Sequence, residues 1–281
     1  GCMTLDGSYD LNRETYNGEL TLSRFPLDRF LTVDSLGSAS ANFRLEGRYF
    51  SWPQAKTSVN AGIRQLFYKE HEYKDITLQA TLDKTHLRGT MVSKDPDAPL
   101  DLVFRGDSLQ QQYQVGLGGY IGKVDLQALH LMQEPLTMGL KVDLQGFIGE
   151  HSAYALKARF DSLSMADNRK TYTLGSLDID MASDLKKTAL DVKTGDLQLT
   201  FRADTSLAGF GESAGKIAGI VGKQIAGKDI DMEQIKAELP VFSMHLKGDQ
   251  NNAIAKFLKA RNMGFRRLSL DIVSRQRSGI R

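Results

Sequence analysis

The segment from Gly222 to Asp229 has the glycine and lysine spacing of a phosphate-binding loop up to its last position. That position must be serine or threonine to bind magnesium, whereas Asp229 brings a negative charge toward the phosphates. No strand precedes the segment, whose own spacing is helical. The glycine-rich residues 116–119 are no dinucleotide fingerprint either, because Ile121 stands where the third glycine belongs. We therefore expect no nucleotide site and interpret residues 116–119 as a flexible strand or bulge.

Five histidines are candidates for metal binding or acid–base chemistry, but no two of them have metal-ligand spacing. They are His71, His86, His130, His151 and His245. Neither a zinc-protease helix nor a nucleophile elbow occurs. The single cysteine, Cys2, can form neither an internal disulfide nor a cysteine-rich zinc site. We predict no metal and no cofactor, and we assign Cys2 no role.

Neighbouring carboxylates are the remaining candidates for acid–base chemistry. Asp178 and Asp180 share one strand face, and Asp229 and Asp231 stand at a helix start, so solvation and helix capping account for both pairs. A glycosidase pair built from carboxylates far apart in the sequence stays open. We expect the protein not to be an enzyme.

Composition narrows the class of protein. The chain has 281 residues, of which 41% are hydrophobic and 25% charged, so it can bury a sizeable core. Lys and Arg number 36 against 34 Asp and Glu, which supplies no electrostatic footprint for a polyanion. We therefore expect no nucleic-acid partner. No run of eighteen apolar residues occurs, so the sequence predicts no membrane-spanning helix.

Alternation of apolar and polar residues dominates the sequence from about Asn42 to Gln198 and predicts half-buried strands. Turn-forming residues at 95–99, 106–108 and 194–196 favour reversals over crossover helices. The pattern therefore predicts an antiparallel meander. Such a sheet must hide its apolar face by curling into a barrel or groove or by packing under a helix.

The pattern changes after Asp204, where apolar residues recur at steps of three and four and predict a helix. Gly211, Gly215 and Gly219 lie inside it, and each costs about 1 kcal/mol of helix propensity relative to alanine. We interpret these glycines as room for close packing against a sheet or a second helix. Contact with lipid is the alternative.

A second helix is predicted between Asp229 and Pro240. A third begins at Asn251 or Asn252 and stops at Gly264. The predicted organisation is a β-rich region at residues 1–204, a helical insertion at 205–264 that packs on the sheet, and a returning strand with a basic tail at 265–281, all in one structural unit.

Several short stretches resemble a known family. They are Phe25-Pro26-Leu27-Asp28-Arg29-Phe30-Leu31, Gly37-Ser38-Ala39-Ser40-Ala41, Asp125-Leu126-Gln127-Ala128-Leu129, Thr194-Gly195-Asp196-Leu197-Gln198-Leu199, Ala237-Glu238-Leu239-Pro240, Gly248-Asp249-Gln250-Asn251-Asn252-Ala253-Ile254 and Phe257-Leu258-Lys259. Together they resemble an internal stretch of the Bacteroidetes-type TamB proteins (translocation and assembly module), which belong to the AsmA-like superfamily. The resemblance covers nearly the whole chain, but none of these stretches is a catalytic signature.

The resemblance implies a mainly β fold: a long curved antiparallel sheet forming a trough or open half-barrel, with a patch of two to three helices inserted near the C-terminus. It also implies a segment of a longer envelope protein that is anchored in the inner membrane and reaches through the periplasm, with its anchor outside this stretch. The implied function is shielding phospholipid, or another acyl-chain lipid, and transferring it between inner and outer membranes.

The family's other proposed role is an alternative: a non-catalytic scaffold that aids insertion of outer-membrane proteins with an Omp85-type partner. The remainder of its own longer chain is a further implied partner. A carbohydrate-binding β-protein is a third class, but its exposed aromatic platforms are poorly supported by a single tryptophan, Trp52.

A continuous apolar lane suits lipid transfer, because each CH₂ group removed from water is worth about 0.8 kcal/mol. The strand candidates for this lane are Ile76, Leu78, Leu82, Tyr113, Val115, Leu117, Leu140, Val142, Leu144, Leu177, Ile179, Met181, Leu197, Leu199 and Phe201. The helix candidates for lining or closing it are Phe210, Ile217, Val221 and Ile225. The competing interpretation is that many of the strand residues form a core beneath the helices.

Overall fold

The structure is a computed structural model that describes residues 1–30, 35–51, 54–109, 112–149, 153–167, 170–227 and 239–274. Side chains are described within these ranges except at 109, 221–227 and 260. Trp52, His151 and the predicted second helix lie outside the described residues.

Extended strands make up most of the described chain. They are β1 Cys2–Asp10, β2 Thr15–Pro26, β3 Leu36–Arg48, β4 Lys56–Tyr68, β5 His71–Asp83, β6 His86–Ser93, β7 Leu100–Leu109, β8 Gln112–Asp125, β9 Thr137–Ile148, β10 Tyr154–Ala166, β11 Thr171–Ser183, β12 Thr188–Thr194, β13 Leu197–Ala203, β14 Phe242–Gly248 and β15 Leu268–Ser274. The α-helices of the described part are α1 Leu207–Gly227 and α2 Ala253–Ala260, and a 3-10 turn spans Leu27–Arg29.

The strands form one open antiparallel sheet in which each strand pairs with its neighbours in sequence, from β1 to β15 in order. This confirms the predicted mainly β fold with a long antiparallel sheet and helices near the C-terminus. Among the described residues, no helix is both long and apolar enough to cross a membrane.

The chain separates into two compact units. The first unit is Gly1–Gln145 with Phe160–Gly175, and the second is Gly146–Arg159 with Ser176–Arg281. The unit boundaries fall inside three long strands, β9, β10 and β11, so the first unit holds β1–β8 whole and the second holds β12–β15 and both α-helices.

Aspartate side chains stabilise several of the reversals. The Asp10 carboxylate accepts hydrogen bonds from the Asn12 and Arg13 backbone N–H groups at 2.9 and 3.1 Å, and Asp184 does the same for Lys186 and Lys187 at 2.7 and 2.8 Å. These local bonds replace ladder bonds that end at a turn.

Two of the three predicted turns are confirmed. Residues 95–99 connect β6 to β7, and residues 194–196 connect β12 to β13. The predicted turn at residues 106–108 is wrong, because these residues lie inside β7. Asp107 pairs there with His86 of β6, and a carboxylate–imidazole contact of 2.6 Å supports the strand pairing.

The helical region differs from the sequence prediction in two respects. It contains β14, which pairs with both β13 and β15 and which the spacing did not predict. Asn252 caps α2 as predicted, since its side chain accepts a hydrogen bond from the Ala255 backbone N–H at 2.7 Å. The predicted stop at Gly264 is wrong: Asn262, with φ 58°, takes the left-handed conformation after the helix.

The three glycines of α1 do not make room for close packing within the described part of the chain. A Cβ atom placed on Gly211, Gly215 or Gly219 would meet no described atom within 4 Å, other than the helix's own backbone. Close packing of these glycines against the sheet is therefore wrong for the described residues. Packing against the predicted second helix stays a prediction, because that helix lies outside the described residues.

Candidate functional site

Apolar residues of the first unit stand opposite one another in unbroken rungs, a rung being the set of residues directly opposite one another on neighbouring strands. Two such rungs are Leu5–Leu20–Phe43–Ala61–Leu78–Met91–Leu102–Gly119 and Gly7–Gly18–Leu45–Val59–Ala80–Gly89–Phe104–Leu117. Neither contains a polar side chain. Because directly opposed residues share a face, the eight strands present one apolar face.

The intervening rungs of the same strands are largely polar. One of them is Ser8–Asn17–Glu46–Ser58–Thr81–Arg88–Arg105–Gly116. Period-two geometry places this rung on the opposite face of the sheet. The first unit is thus an amphipathic sheet, and we call its apolar side the first apolar face.

Much of the first apolar face is open. Exposure of its side chains ranges from 1% at Ala41 to 72% at Leu5, and large side chains such as Tyr113 and Val115 are 49% and 42% exposed. No α-helix belongs to the described residues of this unit. Large apolar side chains that stay exposed next to one another mark a binding surface more often than scattered ones do.

The predicted residues of β9 alternate as expected. Val142 is buried and Leu140 and Leu144 are half-buried, whereas the interleaved Lys141 and Asp143 are exposed.

The second unit has an apolar face of its own, which we call the second apolar face. Its two rungs are Ile179–Val192–Leu199–Leu246–Leu270 and Met181–Leu190–Phe201–Met244–Ile272. The rung on the other side of the sheet, Asp180–Asp191–Thr200–His245–Asp271, is polar. Most apolar members are half-buried, while Leu270 and Ile272 are exposed.

Three aromatic rings fasten α1 to the second apolar face. The Phe210 ring of α1 lies 4.8 Å from Phe201 and 5.4 Å from Phe242, in both cases edge to face. This geometry favours aromatic pairs beyond the area that they bury. As a result Phe201, a predicted lane residue, is only 8% exposed.

A chain of hydroxyl groups fixes the start of the same helix. Thr188 donates a hydrogen bond to the Thr205 carbonyl at 2.8 Å, so the Ser183 hydroxyl must donate to Thr188 at 2.9 Å. The Ser183 oxygen in turn accepts from the Leu207 backbone N–H at 3.0 Å. Ser183 and Thr188 are buried, and these bonds satisfy them while covering one end of the second apolar face.

Ion pairs lie on the polar faces of the sheet. The Arg202 guanidinium contacts Asp191 at 2.7 Å, and both side chains are about half exposed. Hydrogen bonds from Arg88 and His86 hold the pKa of the Asp107 carboxyl below its ordinary value. Exposed pairs of this kind add little stability, but they mark which side of the sheet faces water.

The structure places the predicted lane residues in three states of burial. Val142, Leu197 and Phe201 are buried; Tyr113 and Val115 are exposed; and Ile76, Leu78, Leu82, Leu117, Leu140, Leu144, Leu177, Ile179, Met181 and Leu199 are half-buried. Of the helix candidates, Phe210 and Ile217 are half-buried, and the side chains of Val221 and Ile225 lie outside the described ones.

The first unit also brings together three groups with metal-ligand chemistry. One ligand atom each from His71, Asp95 and Asp97 lies within 4.8 Å of the other two. Sequence spacing did not point to this cluster, because 24 residues separate His71 from Asp95.

No family model matches the chain, and comparisons with curated proteins and with solved structures gave no match either.

Proposed function

We propose that this protein is a non-enzymatic segment of a periplasm-spanning envelope protein that shields and transfers phospholipid between inner and outer membranes along its apolar sheet faces. The observation that carries the proposal is the set of unbroken apolar rungs, which stay partly open to solvent in both units. Each methylene of an acyl chain that leaves water for such a face contributes about 0.8 kcal/mol, so transfer needs no catalytic group.

The polar rungs support the same proposal. A sheet that carries acyl chains on one side across an aqueous compartment needs a hydrated opposite side. The charged residues of both units lie largely on that opposite side, where pairs such as Lys56 with Asp83 are 3.3 Å apart. An ordinary protein core gives the same alternation but leaves fewer large apolar side chains in water.

Native mass spectrometry with lipid extraction tests the proposal. We expect the purified wild type to carry phospholipid, and we expect Ile179→Asp with Leu199→Asp, or Leu78→Asp with Val115→Asp, to lose it while staying folded. A carboxylate on the apolar face must be desolvated beneath an acyl chain, which opposes binding. The control, Gln198→Asp, places one carboxylate on the polar face between Lys193 and Lys247 and is expected to retain lipid. A folded, lipid-free wild type would refute the proposal.

One observation favours the scaffold role as a second candidate. Every residue of β1 is exposed, and the described chain pairs this strand on one side only. An open strand edge can accept a strand from another protein, such as an Omp85-type partner.

Cys2 offers a probe of that edge, because it is exposed on β1 and is the only cysteine of the sequence. A thiol-attached photo-crosslinker at Cys2 should capture the Omp85-type protein in membranes that contain both. The control moves the thiol to the polar face of β4 with Cys2→Ser and Ser58→Cys. Equal capture from both positions would argue against pairing at the edge.

A further inference from the structure

The cluster of His71, Asp95 and Asp97 lies in the first unit and shares no residue with the apolar rungs described above. His71 is the first residue of β5, and both aspartates lie in the loop between β6 and β7. His71 and Asp95 are 8% and 1% exposed, and Asp97 is half-buried. Ionisable groups are rarely buried so deeply unless they are paired or coordinate a metal.

One ring nitrogen of His71 has a defined role. Nδ1 lies 3.2 Å from the Ala128 carbonyl oxygen, and because a carbonyl only accepts, Nδ1 carries the proton. In the neutral ring, Nε2 then presents its lone pair. Nε2 is buried and has no hydrogen-bond partner among the described residues. A histidine that donates one N–H to a backbone carbonyl and offers the other nitrogen is the usual arrangement of a metal ligand.

The gap in front of Nε2 fits an ion better than a direct contact or a water. Nε2 lies 3.7 Å from Asp95 Oδ2. A hydrogen bond would need about 3 Å, and a bridging water would separate the two atoms by roughly 4.5 Å. Two ligands at about 2.0–2.1 Å from one tetrahedral zinc ion lie about 3.4 Å apart. The ligand atom of the half-buried Asp97 lies within 4.8 Å of the other two, so this side chain must move closer to complete that geometry.

Backbone N–H groups hold the Asp95 carboxylate in place, as the surroundings of a metal ligand usually do. Its Oδ2 accepts from the Lys74 backbone N–H at 2.7 Å, and its Oδ1 accepts from Asp97 and Ala98 at 2.8 and 3.2 Å. These three bonds fix the carboxylate and still leave Oδ2 a lone pair toward Nε2.

We propose that His71 Nε2, Asp95 Oδ2 and the Asp97 carboxylate bind a divalent transition metal, with zinc the best fit. Calcium and magnesium prefer oxygen ligands alone, whereas a set of one imidazole nitrogen and two carboxylate oxygens suits zinc or cobalt. Three protein ligands leave the fourth position of a tetrahedral ion to water. The ion ties the start of β5 to the β6–β7 loop.

Zinc titration of untagged, chelator-treated protein tests this site, with cobalt absorption as an independent readout of coordination. We expect one zinc per chain for the wild type. Asp97→Asn, which removes the least buried ligand, and His71→Gln should lose more than the roughly 10- to 100-fold in affinity that loss of an outer-shell partner costs. His86→Gln is the matched control, since it removes an exposed histidine that also contacts an aspartate, at 2.6 Å.

Circular dichroism distinguishes loss of a ligand from loss of the fold. If His71→Gln does not fold, Asp97→Asn alone tests the metal site. Zinc should raise the thermal midpoint of the wild type and of His86→Gln but not of Asp97→Asn. A wild type that takes up no zinc, or that takes it up equally well after Asp97→Asn, would leave His71 and Asp95 as an ion pair and overturn the proposal. The outcome is independent of lipid binding, which is measured on other residues.

Discussion

Replacing Phe210 by alanine should release α1 from the second apolar face. The ring makes two edge-to-face contacts, with Phe201 and Phe242. Each such pair is worth about 0.5–1.5 kcal/mol beyond burial. The ring is half-buried, so its removal also costs about half of the roughly 1.5–3 kcal/mol that burial of a whole side chain contributes. The expected loss in free energy of unfolding is therefore about 2–4 kcal/mol, near the lower part of the range for a core phenylalanine.

Urea unfolding of Phe210→Ala beside Glu212→Ala measures this loss. Glu212 is exposed on the same helix, and its replacement should change stability by less than about 0.5 kcal/mol. Before unfolding, Phe210→Ala should bind more of an apolar fluorescent dye, because Phe201 loses part of its cover. If the two variants unfold at the same urea concentration and bind equal dye, α1 is not fastened by this ring and the assigned role of the aromatic contacts is wrong.

Two further predictions concern the turn at residues 194–196, which contacts the start of α2. Gly195→Ala should destabilise the protein by roughly 2–5 kcal/mol in urea unfolding, because its φ is +57° and a Cβ would clash with the Asn251 carbonyl oxygen far inside van der Waals contact. An unchanged midpoint would contradict this placement. Hydrogen bonds from the Asn252 side chain and from backbone N–H groups hold the pKa of the Asp196 carboxyl below its ordinary 3.8. A lowered pKa stabilises the fold above the unfolded-state pKa, and this contribution is lost as pH falls through the folded-state pKa. The thermal midpoint of the wild type should thus exceed that of Asp196→Asn at neutral pH, and the difference should shrink below pH 3.8; a constant difference would contradict it.

Much of the sheet follows from the sequence because antiparallel neighbours transmit the alternation from strand to strand. Local period two predicts that Ile179 and Leu199 lie on the apolar side of their strands, and the register places both opposite Val192. The prediction at residues 106–108 failed because a glycine next to an aspartate is a turn signal only without cross-strand partners. β14 also alternates, through Phe242 and Met244, but it is only seven residues long and lies between helical segments.

The cluster around His71 illustrates what a single sequence does not contain. Its three groups come from the start of β5 and from the β6–β7 loop, which meet only after Ile76–Asp83 of β5 pairs with β6. Spacing rules detect ligands on one turn or one helix, whereas here the register of a hairpin brings them together. The short residue pattern Asp95-Pro96-Asp97 predicted a turn correctly, and the turn supplies two of the three groups.

The predicted lane residues differ in burial, and this difference separates the two interpretations, an open lipid lane and a core beneath the helices. In the second unit, Leu197 and Phe201 are buried against elements of the same chain, as a core beneath helices requires. In the first unit Val142 is buried, but Tyr113 and Val115 are exposed, and the described residues of this unit include no α-helix. Each large apolar side chain left in water forgoes up to about 1.5–3 kcal/mol, so a partner with acyl chains or an apolar surface gains most by binding there. The variant with Leu78→Asp and Val115→Asp should therefore retain less bound lipid than the variant with Ile179→Asp and Leu199→Asp. The reverse order would place the lane on the second apolar face.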